Sequence, residues 1–210
     1  PQSALLSGLV GSEMCIRDRF RYVRVAVLAS GTGTILEAIL GASIDVALVL
    51  TDRPCNATVL AKNNGIVSTE ITRAEFGKKF DRSIFTEQVV QALEEKKIDV
   101  IAMAGFGTVL GEAFFRAFDT RVLNTHPSLL PSFPGWHSVR DALQHGVKVT
   151  GCTVHIATLE VDAGPILAQQ AIEILSDDDE FSLHERIKAV EREIYPNTIK
   201  RFIETLEKNS

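Results

Sequence analysis

Short apolar runs alternate with amphipathic stretches along most of this chain. Residues 23–29 (VRVAVLA), 44–50 (IDVALVL) and 98–106 (IDVIAMAGF) are β-rich and almost continuously apolar. That is the pattern of strands covered on both faces. IVST at 66–69 predicts a shorter strand, and RVLN at 121–124 predicts another that delivers Asn124 and His126 at its carboxyl end. Helices are predicted for ILEAIL after Thr34 and for 57–65, 82–97, 111–118 and 137–146. In the third of these, Ile84, Phe85, Val89, Ala92 and Leu93 recur at helical spacing. Residues 72–81 are polar and charged and read as loop. VTGCTVHIAT (149–158) and ILAQQAIEI (166–174) predict an antiparallel pair joined by LEVDAGP. The rest is mostly helix, with Ser182 as the expected cap and Glu185 its partner three residues on.

Strand, turn and helix units leading into a late antiparallel pair predict an α/β fold. The sheet is expected to be Rossmann-like and mostly parallel, with helices on both faces. In such sheets sites gather at the carboxyl ends of the strands. The glycine turn after the first strand, the turn at 105–108 and the loop that begins at Asn124 all fall there.

Composition narrows the choice. The 210 residues suit one domain with a sizeable core, and the net charge of -5 argues against a broad nucleic-acid surface. No apolar run reaches membrane-spanning length. Cys15, Cys55 and Cys152 match neither a disulfide framework nor a CxxC site, so a reducing, cytoplasmic setting is expected. Residues 1–20 lack a basic segment and a long apolar core, which argues against a signal peptide. They are expected to be a cloning or gene-boundary lead, or disordered. Residues 21–210 are expected to form one domain.

Three segments are candidates for chemistry. Gly31-Thr32-Gly33-Thr34 follows Ser30 between a strand and a helix, where backbone N–H groups can cradle a phosphate. Alone it reads equally as a tight structural turn, since neither the Walker lysine nor the third glycine of a dinucleotide fingerprint follows. Asn124 and His126 stand two apart before a loop with prolines at 127, 131 and 134. A carboxamide and an imidazole together meet a developing oxyanion and manage a proton. The other reading is an Asn-capped turn with a structural histidine. Asp162, in Asp-Ala-Gly-Pro, is either a hairpin residue or a carboxylate that orients a histidine. His137 and His155 are ambiguous, whereas His145 and His184 read as surface residues. The run Asp177-Asp178-Asp179-Glu180 reads as a solvated face. No HExxH, cysteine cluster or GxSxG elbow occurs, so neither a metal site nor a serine nucleophile is expected.

Taken together, Ala29 to Gly33, Asn124-Thr125-His126-Pro127-Ser128-Leu129-Leu130-Pro131 with Ser-Phe-Pro-Gly-Trp-His, and Thr153-Val154-His155 through Val161-Asp162-Ala163-Gly164-Pro165 resemble the phosphoribosylglycinamide formyltransferases. These are folate-dependent formyltransferases of purine synthesis, and the likeness runs from about Val23 to about Leu206. The resemblance implies formyl transfer from 10-formyltetrahydrofolate to the amine of glycinamide ribonucleotide, without metal or ATP. Asn124, His126 and Asp162 would form the catalytic trio. Asn124 would donate to the oxyanion, and His126, held by Asp162, would stabilise that charge. The ribotide phosphate would lie at Gly31, Thr32, Gly33 and Thr34. Glu191 would hold the ribose or glycinamide end, and Arg82 would lie on the substrate side. Met103, Phe106, Gly107, Thr108, Val109 and Leu110, with Ile156, Ala157, Thr158, Val161 and Asp162, would line or back the folate pocket. His137 and His155 would support the site. The partners implied are these two small molecules, with no nucleic acid or membrane, in a monomer or homodimer.

Two positions depart from the family pattern. Ile35 stands where many members carry a polar residue, so phosphate binding would lean on backbone N–H groups. Gly107-Thr108 stands where Met-Arg is frequent, which removes a cationic contact to the folate's glutamate tail. Other formyl-folate enzymes are the nearest rivals. Methionyl-tRNA formyltransferases normally carry a further C-terminal domain, and formyltetrahydrofolate hydrolases have a different context after the histidine. A non-catalytic folate-binding module and a dinucleotide-dependent dehydrogenase are weaker. The latter is favoured only by Asp52, about 20 residues after Gly31.

Overall fold

The computed structural model describes residues 22–208, apart from Ala74 and Phe76. The expected lead at 1–20 lies outside the described residues. One seven-stranded sheet organises the rest, in the order β3-β2-β1-β4-β5-β6-β7. Its strands are β1 (Val25–Ala29), β2 (Val46–Thr51), β3 (Ser68–Glu70), β4 (Val100–Ala104), β5 (Val122–His126), β6 (Val149–Ile156) and β7 (Ile166–Glu173). The first five run parallel; β6 pairs antiparallel with β5, and β7 antiparallel with β6. The expected α/β sheet with a late antiparallel pair is what the chain forms.

β1 is buried at every position, as its unbroken apolar run requires when helices lie on both faces. On one face lie α1 (Thr34–Gly41), α2 (Asn56–Asn63) and α6 (Glu180–Lys208), contributing Leu36, Ile39, Ala57, Ala61, Tyr195 and Ile199 to one core cluster. On the other lie α3 (Arg82–Glu95) and α4 (Glu112–Ala117), contributing Phe85, Val89, Leu93, Phe114 and Phe118 to a second. α5 (Ser138–His145) and the start of α6 close a third, smaller cluster of Val139, Cys152, Leu183 and Ile187.

Three local expectations are corrected. Ile84 faces solvent, so the stripe of α3 runs through Phe85, Val89 and Leu93. The 72–81 segment contains one 3-10 turn at Gly77–Lys79. Ser182 does not cap α6 with Glu185. The Asp179 carboxylate accepts the Ser182 N–H at 2.8 Å, and the Ser182 hydroxyl accepts the Asp179 N–H at 2.9 Å. That is a reciprocal box set three residues earlier than expected, with Asp179 as the cap and Ser182 as its partner.

Candidate active site

Strand pleating settles how Asn124 and His126 face. Residues two apart in a strand share a face. β5 runs through His126 and does not stop before it, so both side chains point the same way. Val122, on that same face, packs with α3 and α4, whereas Leu123 packs with α1 and α6. Thr125 points to the α6 face, where its hydroxyl donates to Glu191 at 2.9 Å. The antiparallel register then sets His155 opposite Asn124, and Thr153 opposite His126.

Asp162 completes the cluster from the β6–β7 connection. It adopts a left-handed backbone, φ 56°, which aspartate tolerates better than most residues. At Gly164 a Cβ would run into the Ile156 carbonyl, so glycine lets the connection fold back over the strand end. The Asp162 Oδ2 accepts the Gly135 N–H at 2.8 Å and lies 3.4 Å from His126 Nδ1. Its Oδ1 lies 3.6 Å from His155 Nε2. Asn124, His126, His155 and Asp162 therefore form one group, and His137 does not join it: exposed at the start of α5, it bonds to none of them.

The hydrogen bonds assign His155 a definite task. Its Nδ1 donates to the Ile156 carbonyl at 3.0 Å, which leaves Nε2 as an acceptor for Asn124 Nδ2 at 3.2 Å. That fixes the Asn124 amide orientation and leaves its second N–H free. Burial pushes the His155 pKa below the ordinary imidazole range, against the Ile156 bond and the Asp162 charge, so the accepting neutral form is the one favoured. His126 Nε2 donates to the Phe133 carbonyl at 2.9 Å, and its Nδ1 faces Asp162 at the longer 3.4 Å. The loop after His126 is held by residues no motif singled out. Thr153 Oγ1 donates to the Ser128 carbonyl at 2.7 Å and accepts the Leu130 N–H at 3.0 Å, while Gln169 donates to the Leu130 carbonyl at 2.9 Å. Their signal was a polar residue at facing positions of two paired strands, Thr153 opposite Gln169.

The glycine turn lies at the end of β1. Gly33 takes φ 81° with Ala57 Cα 3.3 Å from where a Cβ would stand, so both conformation and space require glycine. Among the described residues no side chain caps α1, which leaves its first N–H groups open toward the turn. Ile35, in the first turn of α1, packs against the core cluster. Arg82 stands elsewhere: exposed at the start of α3, on the opposite face from α1, it packs beside Gly111. Glu191 reaches β5 from behind, through Thr125, and burial lifts its carboxyl to about 7 against the Thr125 bond. Of the folate-pocket candidates, Phe106, Thr108, Leu110 and Ile156 are buried, as residues that back a pocket are; Met103, Gly107, Val109, Ala157, Thr158 and Val161 keep some exposure.

Asp52 loses the part a dehydrogenase would give it. Its carboxylate accepts from Arg53 Nε at 2.9 Å, Arg53 Nη2 at 3.1 Å and Thr108 Oγ1 at 2.6 Å, and also bonds Ser30. Little acceptor capacity remains for a ribose.

The formyl transferase family model matches residues 23–199. The chain is similar to the phosphoribosylglycinamide formyltransferase of Mycobacterium tuberculosis (strain ATCC 25618 / H37Rv), 43% identical over 176 residues that cover 81% of this chain and 80% of that protein. It is 34% identical to the Bacillus subtilis (strain 168) protein of the same name over 188 residues, 86% of this chain and 94% of that one. A crystal structure of glycinamide ribonucleotide transformylase 1 from Symbiobacterium toebii matches with a TM-score of 0.81 and 38% identity, over 87% of this chain and 88% of that one. By that extent of shared sequence and fold, this chain belongs to the formyl transferase family.

Proposed function

We propose that this chain, as a single domain over residues 21–210, transfers the formyl group of 10-formyltetrahydrofolate to the amine of phosphoribosylglycinamide. The observation that carries the reading is the meeting of Asn124, His126 and Asp162 on one face at the end of β5, in a member of the formyl transferase family. The donor supplies an activated formyl carbon; the residues supply the rest. Asn124 directs its free N–H at the formyl oxygen as charge develops there, a contribution of about 3–4 kcal/mol for a donor of this type. His126 adds a second donor by releasing Nε2 from the Phe133 carbonyl, and with the ring protonated at both nitrogens its Nδ1 faces the Asp162 carboxylate. Asp162 is also the acceptor available for the proton the amine loses, and returning that proton to N10 as the formyl C–N10 bond breaks releases tetrahydrofolate. Open N–H groups at the start of α1 favour the ribotide phosphate at Gly31 to Thr34. Glu191 is proposed to act on the ribose end through β5, and Arg82 at the rim. These steps call for no metal or ATP, and the cytoplasm is the proposed site of action.

The test is absorbance with 10-formyl-5,8-dideazafolate, with and without the ribonucleotide. Deformylation that requires the acceptor is expected. Deformylation without it would make the chain a hydrolase, and absence of both would remove the catalytic reading.

A further inference from the structure

Arg53 belongs to none of the roles assigned so far, yet it is held as a functional cation is held. Two of its nitrogens grip the fully buried Asp52 carboxylate, while its own side chain remains 43% exposed. The far nitrogen, Nη1, has no partner among the described residues. The same carboxylate takes the Thr108 hydroxyl, and the Gly107 N–H donates to Ser30 Oγ at 2.6 Å. The end of β2 and the 105–108 turn are thus locked together. Gly107 makes room for this arrangement: a Cβ there would stand 2.9 Å from Arg53 Nη2.

A guanidinium pinned along one edge and open along the other is an oriented site for an oxyanion. We infer that Arg53 binds the glutamate carboxylate of the folate donor, supplying from β2 a cation beside a turn that has none of its own. The inference rests on the formyl-transfer reading, in which both substrates carry anions, and sheet geometry separates the two. β1 lies two strands from β5, about 10 Å, and β2 lies three, about 14 Å, at the usual strand spacing. From N10, a p-aminobenzoyl ring plus glutamate reaches roughly 10–13 Å at bond lengths of about 1.3–1.5 Å. The shorter ribotide suits the glycine turn after β1, and the longer donor arm suits Arg53.

The test compares two donors with the wild-type chain, Arg53→Ala, Arg53→Lys and Gly107→Ala. One is 10-formyl-5,8-dideazafolate; the other has its glutamate replaced by a neutral methylamide. For Arg53→Ala, the KM of the glutamate donor is expected to rise about tenfold, with kcat, the ribotide KM and the KM of the amide donor unchanged. Arg53→Lys should recover part of the loss. Gly107→Ala should act in the same direction in the wild-type chain and add nothing to Arg53→Ala. Thermal melts accompany each variant, and one that does not fold is replaced by Arg53→Gln, which retains a donor for Asp52. A rise in the ribotide KM, an equal rise for both donors, or no change would overturn the assignment. Calorimetric binding of the two folates, 10-formyl group absent, reads the same difference without turnover. A wild-type chain that binds both but transfers nothing would count against the formyl-transfer reading while still deciding Arg53.

Discussion

Asp52 and Asp162 are both buried aspartates at the same edge of one sheet, with side-chain exposures of 0% and 7%. Their surroundings differ in kind. Asp52 is saturated by Arg53, Thr108 and Ser30, and these bonds outweigh burial to hold its carboxyl below the usual range. Among the described residues, Asp162 has a single backbone donor, from Gly135, and two imidazoles just beyond hydrogen-bond distance. A saturated carboxylate fixes structure; an undersupplied one between two imidazoles retains capacity to take a proton or compensate a charge. Burial alone does not separate a clamp from a reactive group, but the count of donors does.

The largest expected effect comes from breaking the reactive corner. Asp162→Asn keeps an oxygen for the Gly135 N–H but removes the charge facing His126. We expect kcat to fall about 10³-fold or more, as when an orienting carboxylate is lost from a catalytic histidine, with little change in melting temperature. A loss confined to stability, with kcat intact, would make Asp162 a second Asp52.

Glu191 sharpens the comparison as a third buried carboxyl, with one donor among the described residues. Burial raises its carboxyl from 4.5 to about 7. The folded state therefore binds more protons than the unfolded state between those values. This contribution to stability is complete below about pH 4.5 and is lost as pH rises through about 7. The loss is at most about 3 kcal/mol by linkage. Glu191→Gln removes the titration, so its urea stability relative to wild type should be higher at pH 8 than at pH 5. A difference that stays flat across that range would show that Glu191 does not titrate there.

Breaking the clamp should do the opposite of breaking the reactive corner. Asp52→Asn strands the Arg53 charge, but that side chain reaches solvent, so the expected cost is about 2 kcal/mol and not the full penalty of a buried pair. Urea midpoints should fall while kcat stays within a few-fold. A kcat loss comparable to that of Asp162→Asn would erase the distinction.

These contrasts also mark where sequence reading stops. The strands and the glycine turn were legible because apolar runs, turns and helix periods are local. Asn124 and His126 were legible as a pair, but only the pleat showed that they share a face. The Asp52 clamp was not, because Thr108 lies 56 residues away and a lone Asp-Arg reads as strand-end punctuation. His155 looked ambiguous because alternation places it on one of two faces, and only pairing with β5 decides which. His137 carried the right residue type, but its element places it at the surface, apart from Asn124, His126 and Asp162.

His155 offers the smallest and finest cut into the reactive corner. If its task is to accept from Asn124, the amide must lose its preferred orientation when that acceptor goes. The chemistry then slows without weakening substrate binding. His155→Leu should lower kcat about tenfold at unchanged KM, less than the roughly 10²–10³-fold expected for removing the Asn124 donor itself. His155→Gln, whose side-chain oxygen can accept the same N–H, should recover part of the loss. In the double variant with Asn124→Ala, the His155 substitution should cost nothing more, because the group it positions is gone. A full additive loss in the double variant would mean that His155 acts on Asp162 or the substrate directly, and that the reactive corner has two imidazoles at work.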